Sequence, residues 1–190
     1  MSLRVGILGS TRGTAMQGIL DAIADGSLDV EVAIVISDRA TAPILERARN
    51  HNIQALFLDP KGNTREAYDA MVTAGLQFAG VELVLMIGYM RITSTAFVEA
   101  WRGRLLNVHP SLLPAFGGLM NKSVHQAVLE GSVKETGCTI HQVTEDVDAG
   151  PIVLQKRCEV RPDDTVDTLK DRVQALEQVA FVEVLRDWRV

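Results

Sequence analysis

The chain has 190 residues, of which 47% are hydrophobic and 23% are charged, and its net charge is −5. This length suits one domain, residues 1–190, with a substantial core, better than two. The negative charge argues against a general nucleic-acid binder, and no apolar stretch approaches the roughly 20 residues that a membrane-spanning helix needs.

The N-terminus and the cysteines favour the cytoplasm. The first apolar run, 3–8, is short and ends at Gly9, which indicates a strand rather than a signal peptide. Cys138 and Cys158 lie in segments typical of buried strands and show neither a disulfide framework nor a metal-binding spacing. We therefore expect a reduced cytoplasmic protein that requires no metal.

In the first half of the chain, apolar runs alternate with segments of helical period. This alternation is typical of parallel strands that are covered by helices on both faces. It predicts a doubly wound α/β fold. The predicted strands are 3–8, 30–36, 54–58 and 82–87, and the predicted helices are 15–25, 42–51 and 64–78.

The second half predicts an antiparallel edge to this sheet. A strand at 104–108 is followed by a loop rich in Pro and Gly and by a helix at 123–130. Two further strands, 138–143 and 152–160, are joined by so tight a turn that they must be antiparallel. The last element, 165–188, is a long amphipathic helix.

The loop from Gly9 to Thr14 lies between the first strand and the first helix. Backbone N–H groups and the helix dipole favour an anion such as a phosphate at this place. The loop matches neither the Walker nor the dinucleotide pattern, so a plain turn with a Thr cap is the alternative. Flavodoxin-like proteins hold flavin phosphate in similar loops, but only 5% of this chain is aromatic and no aromatic residue flanks the loop.

Polar side chains appear suddenly at the end of the strand 104–108. Asn107 and His109 are two residues apart, so on an extended backbone both project from one face and can donate to a single oxygen. Asp148, in the later turn, could orient a protonated imidazole, or it could simply bond its own backbone, as turn aspartates often do. The sequence leaves both interpretations of Asp148 open.

Two motifs resemble the signatures of the formyltransferases that use 10-formyltetrahydrofolate: 107–114 (NVHPSLLP) and 148–152 (DAGPI). The stretches 64–69, 88–92 and 137–141 resemble the branch that formylates the amine of glycinamide ribonucleotide in de novo purine synthesis. The resemblance runs from the first strand to the last helix. It implies 10-formyltetrahydrofolate as co-substrate, two small-molecule substrates, no nucleic acid or membrane as partner, and a monomer or homodimer.

The resemblance also implies roles for individual residues. Asn107, His109 and Asp148 match the catalytic trio, in which Asn107 and protonated His109 stabilise the oxyanion while Asp148 keeps His109 charged. The positions that match the ribonucleotide site are Gly13, Thr14, Ala15 and, at the ribose, Glu177. Those that match the folate site are Arg65, Met90, Arg91, Ile92, Thr93 and Asn107.

The chain departs from the family pattern in three places. Ala15 stands where the family often has Asn, and the chain ends early, at Val190. The segment 117–125 also differs from the commonest form. Lys122 in this segment could supply a cation to the phosphate, but the pattern favours an exposed loop lysine. Relatives that act on methionyl-tRNA or hydrolyse formyltetrahydrofolate carry an extra domain, for which 190 residues leave no room. We expect His141 to be a structural residue on its strand and His125 to lie on a helix or at the surface.

Overall fold

The computed structural model describes residues 2–119 and 122–188, which form a seven-stranded sheet between two layers of helices. The strands are β1 (Leu3–Leu8), β2 (Val30–Ser37), β3 (Gln54–Phe57), β4 (Leu83–Met86), β5 (Leu105–His109), β6 (Glu135–Gln142) and β7 (Ile152–Glu159). The helices are α1 (Thr14–Ala24), α2 (Pro43–Asn50), α3 (Arg65–Phe78), α4 (Thr95–Ala100), α5 (Lys122–Glu130) and α6 (Val166–Asp187).

The strand order is β3-β2-β1-β4-β5-β6-β7. The first five strands are parallel, and β6 and β7 each run antiparallel to their neighbour. The predicted α/β fold with a mostly parallel sheet and an antiparallel C-terminal edge is therefore confirmed. Flavodoxin-like sheets have the order 2-1-3-4-5, so the flavodoxin-like alternative is wrong.

The sheet is buried on both faces because successive residues of its central strands point to opposite sides. Ile7 packs in the core with α1, α2 and α6, whereas the adjacent Leu8 packs with Tyr68 and Val72 of α3 on the other face. This double burial explains the nearly continuous apolar runs of the parallel strands. It also fixes β1, β4 and β5 at the centre, with their carboxyl ends at one edge.

The structure contains one helix that the periodicity did not predict, α4. It has six residues, too few to display a helical period, and it begins at Ser94, whose side chain accepts from the backbone N–H of Phe97. The backbone N–H of Ser94 in turn donates to the buried carboxylate of Asp69. Side-chain capping and a long-range hydrogen bond therefore define this helix, rather than amphipathic patterning.

Most predicted boundaries lie within two residues of the observed ones, but β5 and β6 differ in ways that matter for the site. β5 extends to His109, one residue beyond the prediction, so that both Asn107 and His109 lie on regular strand. β6 begins at Glu135 rather than at 138. Its early part contains Gly137, where a side chain would collide with the backbone of Lys156 on β7.

Candidate active site

A cavity opens at the carboxyl ends of β1, β4 and β5, where open α/β sheets bind ligands. Its walls come from the segment that follows β4, the end of β5, the β6–β7 turn, the start of α1 and one face of α6. From β1 the chain runs outward to β3 on one side of the sheet and from β4 outward to β7 on the other, so the direction reverses between β1 and β4. Residues that are distant in sequence therefore meet in one cavity.

Asn107 and His109 project into this cavity from the same face of β5. On the neighbouring strand, Asn107 lies opposite His141 and His109 lies opposite Thr139. His109 is only 4% exposed. The two-residue spacing therefore places an amide and an imidazole side by side, as the strand period predicts.

The β6–β7 turn brings Asp148 to His109. Its Oδ2 atom lies 3.2 Å from His109 Nδ1, and the same oxygen accepts a hydrogen bond of 2.8 Å from the backbone N–H of Gly118. The turn can fold closely over β6 because Gly150 has no side chain. A side chain at this position would overlap the carbonyl of Gln142. Asp148 has a positive φ of 54°, and its carboxylate contacts other segments instead of serving as an ordinary turn residue.

Both nitrogens of His109 face acceptors. Nδ1 faces the Asp148 carboxylate, and Nε2 lies 3.1 Å from the carbonyl oxygen of Phe116. Burial nevertheless lowers the pKa of His109, and it outweighs the Asp148 carboxylate and the Phe116 carbonyl, which raise it. His109 is therefore readily deprotonated, and an acceptor lies beside each of its two nitrogens.

The Asp148 carboxyl is ionised at neutral pH. Burial alone would raise its pKa, but the His141 ring 3.6 Å away, a hydrogen bond from the backbone N–H of Gly118 and the charge of His109 lower the pKa below the ordinary value. Asp148 can thus stabilise positive charge on His109. A neutral imidazole beside a fixed carboxylate is an arrangement that can accept a proton from a reacting group.

His141 is a site residue whose position the sequence did not reveal. Its Nδ1 lies 3.0 Å from the carbonyl of Gln142, which assigns the proton of the neutral ring to Nδ1. Nε2 then accepts from the amide of Asn107 at 3.1 Å and lies 3.6 Å from Asp148. One N–H of the Asn107 amide is thereby held, and the other is available to the cavity.

Only the register between β5 and β6 identifies His141 as a neighbour of the trio. The sequence correctly indicates that it is hydrogen-bonded, but an apolar strand gives no sign of what lies beside it. His125, which we expected on a helix or at the surface, is on α5 but is only 3% exposed, and it lines the cavity. The two histidines therefore extend the group of polar side chains beyond the three that motifs suggest.

The cavity also gathers most of the residues expected at the two substrate sites. Those that line it are Gly13, Thr14, Met90, Arg91, Ile92, Thr93 and Glu177. Glu177 is not a solvated helix residue: it is 9% exposed, and burial raises its pKa to about 8, although the charge of Lys170 opposes that rise. Its carboxyl is therefore largely protonated at neutral pH.

Two expected residues lie elsewhere. Ala15 is completely buried and packs in the core, so its side chain does not reach the cavity. Arg65 lies in the first turn of α3, where its half-exposed side chain pairs with Glu66, outside the cavity wall. Met120, Asn121 and the side chain of Lys122, in the unusual 117–125 segment, lie outside the described residues.

The loop before α1 ends in Gly13, which adopts the left-handed conformation with φ of 60°. A side chain at this position would collide with Ile44, so glycine is required. No side chain caps the helix, and its first turn has no acidic residue. The alternative interpretation of this loop, a plain turn with a Thr cap, therefore does not describe it. The first N–H groups of α1 therefore have no side-chain acceptor at its N-cap.

Within 2–119 and 122–188 no cluster of His, Cys, Asp or Glu side chains has the arrangement of a metal site. Every helix in these ranges is too short or too polar to cross a bilayer.

The chain matches the family model described as formyl transferase over residues 3–185. It is 33% identical over 181 residues to phosphoribosylglycinamide formyltransferase of Bacillus subtilis, covering 95% of this chain and 91% of that protein. It is 42% identical over 185 residues to the trifunctional purine biosynthetic protein adenosine-3 of Drosophila pseudoobscura pseudoobscura, covering 96% of this chain. The chain spans only 13% of the length of that trifunctional protein.

The same relationship is found in three dimensions. Glycinamide ribonucleotide transformylase 1 from Symbiobacterium toebii superposes with a TM-score of 0.92 at 45% identity, covering 97% of this chain and 86% of that one. The fold, the paired histidine and carboxylate, and a match that extends over nearly the whole chain all agree. The chain belongs to the formyl transferase family.

Proposed function

We propose that this chain transfers a formyl group from 10-formyltetrahydrofolate to the amine of glycinamide ribonucleotide, as one catalytic domain in the cytoplasm. Its partners are then these two small molecules. The observation that carries the proposal is the contact between His109 and Asp148 beside Asn107, in the wall of the cavity of a formyl transferase family member. The named relatives add the acceptor, because they formylate this ribonucleotide.

The first chemical step is attack of the amine on the formyl carbon, which makes the formyl oxygen negative. Preorganised donors aimed at that oxygen supply the main stabilisation in reactions of this kind. The Asn107 amide has one N–H fixed on His141, so its second N–H has a defined direction. In our proposal that second N–H donates to the oxyanion.

His109 takes the proton that the attacking amine loses. It is suited to this step because burial lowers its pKa, so it begins neutral, and because Asp148 stabilises the imidazolium that results. The same imidazolium then faces the oxyanion. When the tetrahedral intermediate collapses, the bond from the formyl carbon to the folate nitrogen breaks, and the imidazolium gives its proton to that nitrogen, which releases tetrahydrofolate and restores neutral His109. The sequence led us to expect that Asp148 keeps His109 charged; in our proposal the charge instead develops together with the oxyanion.

The carbonyl of Phe116 occupies an acceptor position at His109 Nε2. A substrate oxygen or a proton-carrying amine needs this nitrogen. The segment around Phe116, which itself has a positive φ of 61°, must therefore give up the contact when substrates bind. In this proposal the Phe116 carbonyl takes the place of the substrate group that His109 serves.

The two substrates approach from different walls of the cavity. We assign the folate to the wall that contains Met90, Arg91, Ile92 and Thr93, and the ribonucleotide to the wall that contains Gly13, Thr14 and Glu177. The folate assignment does not include Arg65, whose side chain lies away from the cavity wall. A largely protonated Glu177 carboxyl can both donate to and accept from ribose hydroxyls.

The decisive experiment incubates the purified chain with glycinamide ribonucleotide and 10-formyltetrahydrofolate and follows tetrahydrofolate release together with formylated product. We expect both to appear in equal amounts. A matched reaction without the ribonucleotide separates transfer from hydrolysis: release of tetrahydrofolate at the same rate in its absence would show a hydrolase. No release in either reaction would contradict the proposed activity.

A further inference from the structure

A row of three side chains on neighbouring strands leads from the cavity to the edge of the sheet. His109 of β5 lies directly opposite Thr139 of β6, and Thr139 lies directly opposite Gln155 of β7. Residues that oppose each other on neighbouring strands project from the same face of a sheet. His109 is the proposed proton acceptor, whereas Thr139 and Gln155 are not among the described residues that line the cavity. They are thus neighbours of a reacting residue and lie out of reach of the substrates.

The hydroxyl of Thr139 uses its full hydrogen-bonding capacity. A hydroxyl can donate once and accept twice. Oγ1 of Thr139 donates to the carbonyl of Ser111 at 2.7 Å, and it accepts from the backbone N–H of Leu113 and from the side-chain amide of Gln155, each at 3.0 Å. Thr139 is completely buried. One side chain therefore fixes two backbone groups of the segment that follows β5.

Gln155 holds the same segment from the next strand. Its amide nitrogen has two N–H groups. One donates to Oγ1 of Thr139 and the other to the carbonyl of Leu113, each at 3.0 Å. Both backbone groups of Leu113, its N–H and its carbonyl, are thus held by side chains. We call Thr139 and Gln155, with the segment 111–113 that they hold, the loop anchor.

The anchored segment leads directly to two contacts of the catalytic group. Shortly after Leu113, the carbonyl oxygen of Phe116 lies 3.1 Å from His109 Nε2. The backbone N–H of Gly118 then donates to Asp148 Oδ2 at 2.8 Å. The loop that begins at the anchor therefore contacts both members of the histidine–carboxylate pair.

The chain between the anchor and these contacts is short and internally bonded. The buried hydroxyl of Ser111 donates to the carbonyl of Ala115 at 2.6 Å. The backbone N–H of Ala115 donates to the carbonyl of Leu112 at 3.1 Å. A shift of the segment 111–113 would therefore be passed on to 116–118, because few flexible bonds separate the two.

We propose that Thr139 and Gln155 are positioning residues for formyl transfer, which hold the base of the segment 111–118 so that its tip meets His109 and Asp148. The inference rests on the proposed function. Both residues act through the backbone of the segment and contact no substrate. The Phe116 carbonyl must leave His109 when substrates bind, and a fixed base returns the tip to the same place after each turnover.

The kinetic test replaces Thr139 by valine, which has a similar shape but cannot hydrogen-bond. Thr136→Val is the matched control, since Thr136 is a buried threonine of the same strand whose Oγ1 has no partner among the described residues. We expect Thr139→Val to lower kcat about 10- to 100-fold, because displacing catalytic groups by about 1 Å has effects of this size. The KM of the ribonucleotide should hardly change. Thr139→Ser keeps the hydroxyl and should restore kcat, and Thr136→Val should have wild-type kcat.

Hydrogen–deuterium exchange measures the segment directly and requires no catalysis. In Thr139→Val we expect faster deuterium uptake in 111–118 and wild-type uptake in β1 and β2, because only the loop loses its anchor. Thr136→Val should exchange as the wild type does. Faster uptake confined to 111–118 supports the loop anchor even when no formyl transfer is found. Wild-type uptake in 111–118 of Thr139→Val would overturn the loop anchor even in an active enzyme.

Gln155→Met is the milder variant and keeps the test open if Thr139→Val does not fold. The side chain of Gln155 is only partly buried, and the bonds of Thr139 to the segment remain. We expect kcat to fall about 2- to 10-fold, the usual effect of one neutral hydrogen bond, with faster exchange in 111–118.

Two results would overturn the individual assignments. Wild-type kcat and exchange in Gln155→Met would exclude Gln155 as a positioning residue. For Thr139, the contrary result is a kcat in Thr139→Ser as low as in Thr139→Val, or an equal loss in Thr136→Val, since either would mean that the hydroxyl of Thr139 has no specific effect.

Discussion

The two walls of the cavity differ in how their polar side chains are satisfied. On the strand wall, Asn107, His109, His141 and Asp148 hydrogen-bond or pair with one another and with backbone groups. On the helix wall, Glu177 has no hydrogen bond or ion pair to another described residue, although its side chain is buried. The strand wall is preorganised for chemistry, whereas the buried Glu177 carboxyl of the helix wall has no partner among the described residues. Substitutions should therefore have opposite consequences for stability and activity on the two walls.

The largest effect is expected from His109→Ala. Removing one donor or proton acceptor of this type typically lowers turnover about 100- to 1,000-fold. The loss of turnover in Asn107→Ala should lie in the same range, because this variant lacks the other oxyanion donor. Steady-state kinetics with both substrates saturating measure the loss. Each variant is compared with His51→Ala, an exposed histidine whose ring bonds only the local backbone. Near-normal turnover in either variant, with the fold intact, would refute this part of the mechanism.

Asp148→Asn should change the pH dependence as well as the rate. The carboxylate favours the protonated imidazole, so its removal lowers the pKa of His109 further. Activity that is lost on protonation of His109 should then persist to lower pH, so the acidic limb of the pH–rate profile should move to lower pH. An acidic limb that stays at its wild-type position would show that His109 and Asp148 are not coupled in catalysis.

His141→Gln should have a smaller effect on the rate and a pH shift of opposite sign. His141 lowers the pKa of His109 electrostatically, so its replacement raises that pKa and moves the acidic limb slightly upward. We expect about a tenfold loss of turnover, because the Asn107 amide loses the acceptor that orients it. The same pH–rate measurement serves both variants. Shifts in the same direction for Asp148→Asn and His141→Gln would contradict this division of roles.

The contrast between the walls also explains what could be predicted from sequence. The alternation of apolar runs with helical segments predicts the sheet, and the two-residue period of a strand places Asn107 beside His109. Both relations are local in sequence. The placement of His141 depends on the β5–β6 register, and that of Asp148 on how the β6–β7 turn folds over β6. Resemblance to a family suggested Asp148, but no local pattern identifies His141.

The helix wall was harder to predict for a different reason. His125 was expected on a helix or at the surface, and Glu177 would be taken for a solvated residue without the family match, since charged and polar side chains on helices are usually exposed. Their burial depends on how α5, α1 and α6 pack, which helical period alone does not determine. Conversely, Ala15 and Arg65 match family positions in sequence but lie away from the cavity, because a motif records alignment and not the direction of a side chain.

Glu177→Gln should change turnover the least of these variants. It tests the helix wall through the free energy of unfolding. The pKa of Glu177 is raised from its ordinary value to about 8 by burial, so between about pH 4.5 and pH 8 the folded chain holds a proton that the unfolded chain has lost. Stability must then fall as pH rises through this window, by at most about 1.4 kcal/mol per pH unit, and level off above it. Glutamine cannot ionise, so the variant should lack this decline.

Urea unfolding at pH 5 and at pH 8 measures the difference. We expect the variant and the wild type to have similar free energies of unfolding at pH 5, and the variant to be the more stable at pH 8. Glu183→Gln, on the same helix with a partly exposed carboxylate paired to Lys156, is the matched control and should not show this gain at pH 8. Equal pH dependence in Glu177→Gln and the wild type would mean that Glu177 is ionised when folded. A charged carboxylate would then lie on the wall that we assign to the ribonucleotide.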